Sequence, residues 1–188
     1  MPKYIVGITG ASGSVYAVRL LEELLKTGAE VHLVVSKNGS QVMRFETGQS
    51  ISGALADGCS GTLLVHDHDD LFAPISSGSF HVDGMAVIPC SMTTLGEIAS
   101  GSSRNLLGRA ADVCIKERRK LVLVPREMPL STIHLRNMLS LSELGVMILP
   151  ASPGFYHRPQ TIDDIVNFVV SRVLSALGIE NDLYQKWR

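Results

Sequence analysis

The sequence has 188 residues, of which 45% are hydrophobic, and its formal net charge is −1. This length suits one domain with a substantial core, and we treat residues 1–188 as a single domain. A charge near zero indicates neither nucleic-acid binding nor attraction to an anionic membrane. The apolar run after Met1-Pro2-Lys3 is too short for a signal peptide or a spanning helix, and no cysteines have Cys-x-x-Cys spacing. We therefore expect a cytoplasmic protein with reduced thiols and no membrane or nucleic-acid partner.

The N-terminal segment predicts a buried strand, a glycine turn and a helix. The apolar run Tyr4–Ile8 is followed by residues 9–14, Thr-Gly-Ala-Ser-Gly-Ser, and then by apolar residues at helical spacing. Backbone N–H groups at such a helix start, together with the helix dipole, bind a phosphate or another electron-rich group. The alternative is a turn that only allows the helix to pack on the strand.

The glycine spacing indicates which nucleotide to expect. Gly7, Gly10 and Gly13 give G-x-x-G-x-x-G rather than the dinucleotide fingerprint, and no Gly-Lys-Ser/Thr of a P-loop follows. The second predicted strand, Glu30–Val35, ends in Ser36-Lys37 without the carboxylate that holds a dinucleotide ribose. A mononucleotide is therefore the favoured ligand.

The next region is less regular. We predict helices over Lys37–Thr47 and Ile51–Ala56 and note an apolar run at Thr62–Val65. The segment His66–Asp70 has the composition of a metal site. Its candidate ligands are consecutive, however, whereas ligands on one helix or strand face are spaced, so a solvated loop is favoured.

Two later strands end in candidate binding residues. Met85–Pro89 predicts a strand, and Cys90-Ser-Met-Thr-Thr94 then opens a helix with hydroxyls at a second anion-binding start. Leu121–Val124 predicts another strand, followed by Arg126-Glu127 between two prolines. Ligands of open α/β sheets bind beyond the carboxyl ends of the strands, so this pair is a site candidate, with a surface ion pair as the alternative.

Charged residues also occur on two predicted helices. The helix Asn105–Arg119 aligns Arg109, Asp112 and Lys116 on its polar face, for which simple solvent exposure is the favoured explanation. The final helix begins at the cap Thr161, and its apolar stripe from Ile162 to Leu177 places Arg172 along the buried edge. A charge in that position requires an anionic partner, either a structural carboxylate or a phosphate.

The remaining C-terminal segments complete an alternating α/β pattern. Ser131–Glu143 predicts a helix and Val146–Leu149 the last strand. Residues 150–159 hold three prolines and a glycine, which indicate an ordered excursion. The pair Phe155-Tyr156 at its tip is expected to contact a ligand or a neighbouring subunit.

Four segments together closely resemble the UbiX/Pad1 family, the flavin prenyltransferases: Gly10–Gly13, Arg109–Leu130, His134–Leu139 and Pro153–Pro159. The resemblance runs nearly end to end, and the last three motifs are specific to this family. It implies a three-layer, doubly wound parallel sheet of the Rossmann-like or flavodoxin-like kind, assembled as a homododecamer with active sites between subunits. It also implies that dimethylallyl monophosphate alkylates reduced FMN at N5, with a second bond at C6. The prenylated FMN is passed to a UbiD-type decarboxylase.

The resemblance assigns roles to residues of this sequence. The implied FMN contacts are Gly10, Ala11, Ser12, Ser36, Ser91, Met92, Thr93, Thr94 and Arg126. The implied contacts of the prenyl phosphate are Tyr156 and Arg172, with Arg109 and Lys116 in the same anion pocket. Ser12, Glu46, Lys116 and Glu127 are the implied catalytic residues. No D-D-x-x-D motif is present, and cationic side chains can stabilise a departing phosphate, so we expect no metal.

Two other functions fit parts of the sequence. An FMN-dependent cysteine decarboxylase uses a histidine after the second strand, but residues 36–47 contain none. An FMN-binding carrier or accessory subunit of an aromatic (phenolic) acid decarboxylase would have no need of the four residues that surround a second phosphate.

Overall fold

The computed structural model describes residues 1–50, 60–185 and 187, and its centre is a six-stranded, all-parallel sheet. The strands are β1 (Lys3–Ile8), β2 (Glu30–Val35), β3 (Thr62–His66), β4 (Gly84–Cys90), β5 (Leu121–Pro125) and β6 (Met147–Ile148). The helices are α1 (Ser14–Lys26), α2 (Lys37–Thr47), α3 (Met92–Ala99), α4 (Leu106–Lys116), α5 (Thr132–Glu143) and α6 (Ile162–Leu177). The strand order is β3-β2-β1-β4-β5-β6, so the direction of winding reverses between β1 and β4. Open α/β sheets bind ligands at such a reversal.

Alternating residues of the strands bury two separate cores. Val6 and Ile8 of β1 pack on one face of the sheet with α1 and α6, while Ile5 packs on the other face with α3, α4 and α5. Each fully buried Leu, Ile or Val contributes about 1.5–3 kcal/mol relative to an exposed one, so both cores stabilise the layered arrangement. The predicted three-layer, doubly wound α/β fold is therefore confirmed.

Local sequence signals fix most element boundaries. β2 and α2 have the predicted bounds, and Ser36 caps α2 by accepting a hydrogen bond from the Gly39 N–H. Thr161 and Asp164 form the capping box that begins α6, and Gly178 ends it in the left-handed conformation (φ 86°). The predicted helix over Ile51–Ala56 lies outside the described residues.

Several boundaries differ from prediction, most of them by a single residue. The helix predicted to Arg119 ends at Lys116, and Arg118 takes a left-handed φ of 54°. The last strand is shorter than Val146–Leu149 and pairs with β5 at only two positions. His66 belongs to β3 rather than to the predicted loop, and its Nε2 lies 2.8 Å from Nδ1 of the buried His32. None of the described helices is long and apolar enough to cross a membrane.

Candidate active site

The turns that follow β1 and β4 are joined by one buried side chain. The Thr9 hydroxyl donates a hydrogen bond to the Pro89 carbonyl at 2.9 Å and accepts one from the Ser91 N–H at 2.7 Å. This pair of bonds holds the glycine turn and the start of α3 at a fixed separation. The crevice between them lies where the strand order reverses.

A first cavity of about 310 Å³ lies at this crevice, and three helices begin at it. Ser36, Ser91 and Asn105 are the N-caps of α2, α3 and α4, and all three line the cavity. Each cap accepts a hydrogen bond from the N–H group three residues later, at 3.0, 3.2 and 2.8 Å respectively. The three helix dipoles place partial positive charge at this cavity, and Lys37 adds a full charge. The cavity is therefore suited to a phosphate.

Lys37 and Asn105 were not predicted as residues of this site. Asn105 immediately precedes a helix, which is a recognisable N-cap signal, but nothing local shows that three caps meet. Glu97 also lines the cavity and is its only carboxylate among the described residues.

A second cavity of about 440 Å³ adjoins the first and shares Gly10, Ser91 and Thr93 with it. Arg126 and Glu127, which follow β5, both line this second cavity. The Glu127 carboxylate accepts a hydrogen bond from the Met128 N–H at 3.1 Å, and no ion pair joins Arg126 to Glu127 in the described part of the chain. The two charged groups are therefore available to a ligand rather than paired with each other.

The two cavities bring together most of the residues implied as FMN contacts. The residues that line one or both are Gly10, Ala11, Ser36, Ser91, Met92, Thr93, Thr94 and Arg126. Ser12 lines neither cavity and instead hydrogen-bonds Glu46.

The start of α1 is occupied by a side chain of the same protein. The Glu46 carboxylate accepts hydrogen bonds from the Gly13 N–H, at 3.1 Å to each oxygen, and from the Ser14 N–H at 2.9 Å. Partial desolvation of this carboxylate favours its neutral form, but hydrogen bonds from Ser12, Ser14 and Gly13 outweigh this effect and lower the pKa of Glu46 below its ordinary 4.5. The electron-rich group at this helix start is therefore the Glu46 carboxylate, which accepts the backbone hydrogen bonds here.

The four residues implied to bind the prenyl phosphate do not meet within one chain. Arg109 and Lys116 lie on α4, and Arg172 lies on α6, on the opposite face of the sheet. Arg109 donates to the Ser76 carbonyl at 3.0 Å and pairs with Asp112 at 2.8 Å, while Lys116 pairs with Glu117. A pocket that contains all four must combine residues of different chains.

The predicted burial of Arg172 is wrong. The buried face of α6 is centred on Val166, Val170, Val173 and Leu177, and Ile162, which we had included in the apolar stripe, is 74% exposed. Arg172 lies about 200° around the helix from Val170 and is exposed. The single chain therefore requires no buried partner for this guanidinium.

Tyr156 lies on the same side as Arg172. Its hydroxyl donates a hydrogen bond to the Tyr184 hydroxyl at 3.2 Å, and its ring packs edge-on against Phe168 of α6. The hydrogen bond with Tyr184 raises the pKa of Tyr156, and the positive charge of Arg172 opposes this rise. Tyr156 and Arg172 therefore lie on the same side of the sheet, where α6 packs.

The described residues contain neither a cluster of metal-ligating side chains nor a reactive thiol. No group of three or more His, Cys, Asp or Glu side chains among them could hold a metal ion. Cys90 and Cys114 are buried, and burial raises the pKa of each thiol to about 12, so neither supplies a thiolate at neutral pH. Cys59 lies outside the described residues.

The chain is similar over nearly its whole length to proteins of one family. The Flavoprotein family model matches residues 1–174. Flavin prenyltransferase UbiX of Halalkalibacterium halodurans is 52% identical, over 98% of this chain and 92% of that protein. A dodecameric FMN-dependent Ubix-like decarboxylase from Escherichia coli O157:H7 has a TM-score of 0.91 at 49% identity, with 99% of both chains covered. AnUbiX (PadA1), solved with FMN and dimethylallyl pyrophosphate, has a TM-score of 0.93 at 42% identity, over 100% of this chain and 97% of its own. The chain therefore belongs to the Flavoprotein family and, within it, to the flavin prenyltransferases of the UbiX type.

Proposed function

We propose that this protein transfers the dimethylallyl group of dimethylallyl monophosphate to N5 and C6 of reduced FMN. The prenylated FMN then serves a UbiD-type decarboxylase, and the reaction takes place in the cytoplasm. The observation that carries this proposal is the pair of adjoining cavities at the crevice, because they collect the residues that the family resemblance implies for FMN.

The residues of the two cavities fit the two ends of FMN. The first cavity, with three helix starts and Lys37, suits the phosphate, since the start of α1 already binds Glu46. The second cavity, lined by Arg126 and Glu127, suits the ring. Gly10 lines both, and a Cβ atom there would lie only 2.7 Å from Cβ of Asn38, so this position needs glycine for the close approach. Reduced FMN bound here would supply the electron-rich ring that attacks the allylic carbon.

The proposed role of the cations is to stabilise the departing phosphate. Negative charge grows on that group as the allylic bond breaks, and preorganised Arg, Lys and Tyr side chains stabilise it without a metal ion. For this role, Arg109 and Lys116 of one subunit must meet Tyr156 and Arg172 of another. The proposal therefore requires a homo-oligomer, and we propose that it is a homododecamer. Glu127, at the second cavity, is proposed to accept the proton released when the second bond forms.

Exposed apolar side chains support assembly between copies. On α5, Ile133, Leu135 and Leu139 are 66%, 52% and 60% exposed, and Phe155 beside Tyr156 is 67% exposed. Exposure of these large apolar side chains supports contact with another subunit. A neighbouring subunit that covers it would also exclude water from the reaction, which protects an allylic cation from hydrolysis.

The test is an anaerobic incubation with reduced FMN and dimethylallyl monophosphate, followed by the mass of the extracted flavin. We expect a gain of one C5 unit, which the Arg172→Ala variant should lose while it still binds FMN. Arg104→Ala, which changes an exposed arginine outside both cavities, is the control. Tightly bound but unmodified FMN in the unaltered protein would instead favour the carrier or accessory-subunit function.

A further inference from the structure

The start of α5 is closed by a capping box in which histidine takes the usual place of Glu or Gln. The Ser131 hydroxyl accepts a hydrogen bond from the His134 N–H at 3.2 Å. In return, Nδ1 of His134 accepts one from the Ser131 N–H, also at 3.2 Å. A box of this kind satisfies two backbone donors at the helix start and fixes the orientation of both side chains.

This bond determines where the imidazole carries its hydrogen. A ring nitrogen that accepts a hydrogen bond cannot itself be protonated, so Nδ1 of His134 is bare. The neutral ring then carries its hydrogen on Nε2. His134 therefore accepts a hydrogen bond with Nδ1 and can donate one with Nε2, and the helix cap is its fixed support.

The donor lies at the second cavity. His134 lines it together with Ile133 and Asn137 of the same helix, facing the cavity that Arg126 and Glu127 also line. Within the described part of the chain, Nε2 of His134 has no hydrogen-bond partner. The cap uses one ring nitrogen and leaves the other for a ligand.

We infer that His134 is a flavin-binding residue whose Nε2–H donates a hydrogen bond to an acceptor atom of the isoalloxazine ring. This inference rests on the proposed function, because it takes the ligand of the second cavity to be FMN. The ring presents N1, N5 and two carbonyl oxygens as acceptors. Removing such an acceptor from water without providing a hydrogen-bond donor costs binding free energy. Arg126 adds a full positive charge at the same cavity, and the His134 ring adds a hydrogen-bond donor whose orientation the helix cap fixes.

The reduced ring depends on this donor more than the oxidised ring does. Reduced flavin carries negative charge, and hydrogen bonds to charged acceptors are roughly twice as strong as those to neutral ones. Loss of the donor should weaken oxidised FMN binding by about 2- to 10-fold and reduced FMN binding by about 10- to 100-fold. The reduction potential of the bound flavin should therefore fall.

Three variants distinguish the effect of losing the Nε2–H donor from the effect of weakening the helix cap. His134→Gln retains both a cap acceptor and an N–H donor, since Gln is a usual residue at this position of a capping box. His134→Met has a similar size and retains neither. Ser131→Ala weakens the cap but leaves the imidazole in place. For each variant we would measure the FMN dissociation constant in both redox states, the flavin reduction potential and the Tm, without any prenyl donor.

We expect His134→Met to bind FMN more weakly and to have a lower flavin reduction potential. The FMN dissociation constant of His134→Gln should stay within about threefold of that of the original protein. Ser131→Ala and His134→Met should both lower the Tm by about 2–4 °C, but Ser131→Ala should bind FMN normally. Unchanged affinity in His134→Met, or an equal loss in Ser131→Ala, would overturn the inference while FMN binding and prenylation by the unaltered protein stand. Failure of the unaltered protein to bind FMN would overturn the proposed function as well.

Discussion

Glu46→Gln keeps the shape of the side chain but removes the negative charge that the start of α1 binds. The carboxylate accepts bonds from Gly13 at 3.1 Å and from Ser14 at 2.9 Å. Bonds to a charged acceptor contribute about 1.5–3 kcal/mol and those to a neutral one about 0.5–1.5, and a charge at a helix start adds about 0.3–1. Solvent screening reduces these figures because Glu46 is exposed, and the glutamine oxygen can still accept one bond. We expect a loss of about 1 kcal/mol, or about 2–4 °C in Tm.

The pH dependence of this loss has a definite sign. Because the pKa of Glu46 is lower in the folded than in the unfolded chain, its contribution is complete above the ordinary value of 4.5 and disappears as the pH falls through the folded-state pKa. Thermal unfolding at about pH 7 and about pH 4 should show a Tm gap between the two proteins that narrows at the lower pH. Glu180→Gln, at an exposed glutamate beyond α6, is the control. Equal Tm values at neutral pH, or a gap that widens on acidification, would refute this account of Glu46.

Two further substitutions test the glycine turn and the histidine pair. Gly10→Ala places a Cβ atom 2.7 Å from Cβ of Asn38, so Gly10 or Asn38, which both line the first cavity, must shift. Overpacking of this kind costs about 1–3 kcal/mol, and we therefore expect FMN affinity to fall about tenfold or more. Undiminished binding in a fluorescence titration would contradict that packing argument. Burial, and then the charge of His32, lower the pKa of His66 below 6.5. Just below that pH the unfolded chain therefore binds more protons than the folded chain, so the free energy of unfolding decreases as the pH falls. His66→Gln should make the Tm less sensitive to pH between about 7 and 5, and an unchanged slope would exclude His66 as the cause.

Much of the fold could be predicted because its signals are local. The strand, glycine turn and helix at the N-terminus, and the cap Thr161, each depend on residues within a few positions of one another. Arg172 was misplaced because its position was judged from Ile165 and Val169, whereas the buried face also includes Val170 and Leu174 and is centred farther around the helix.

The site was less accessible to sequence reasoning because its parts are far apart in the chain. Glu46 reaches the start of α1 across more than thirty residues, and Asn105 joins Ser36 and Ser91 at one cavity only through the order of the strands. Family resemblance supplied the individual positions. Neither resemblance nor local pattern indicated that a helix cap would fix the orientation of the His134 ring.

The separation of Arg109 and Arg172 on opposite faces of the sheet has a genetic consequence. In an assembly of the proposed kind, each active site takes one of these arginines from one subunit and the other from a neighbour. Two alleles, each inactive alone because it lacks a different arginine, would then complement each other when expressed together, since mixed assemblies contain some intact sites. Conversely, one allele that lacks both would disable sites of the healthy subunits beside it and behave as a dominant loss of function.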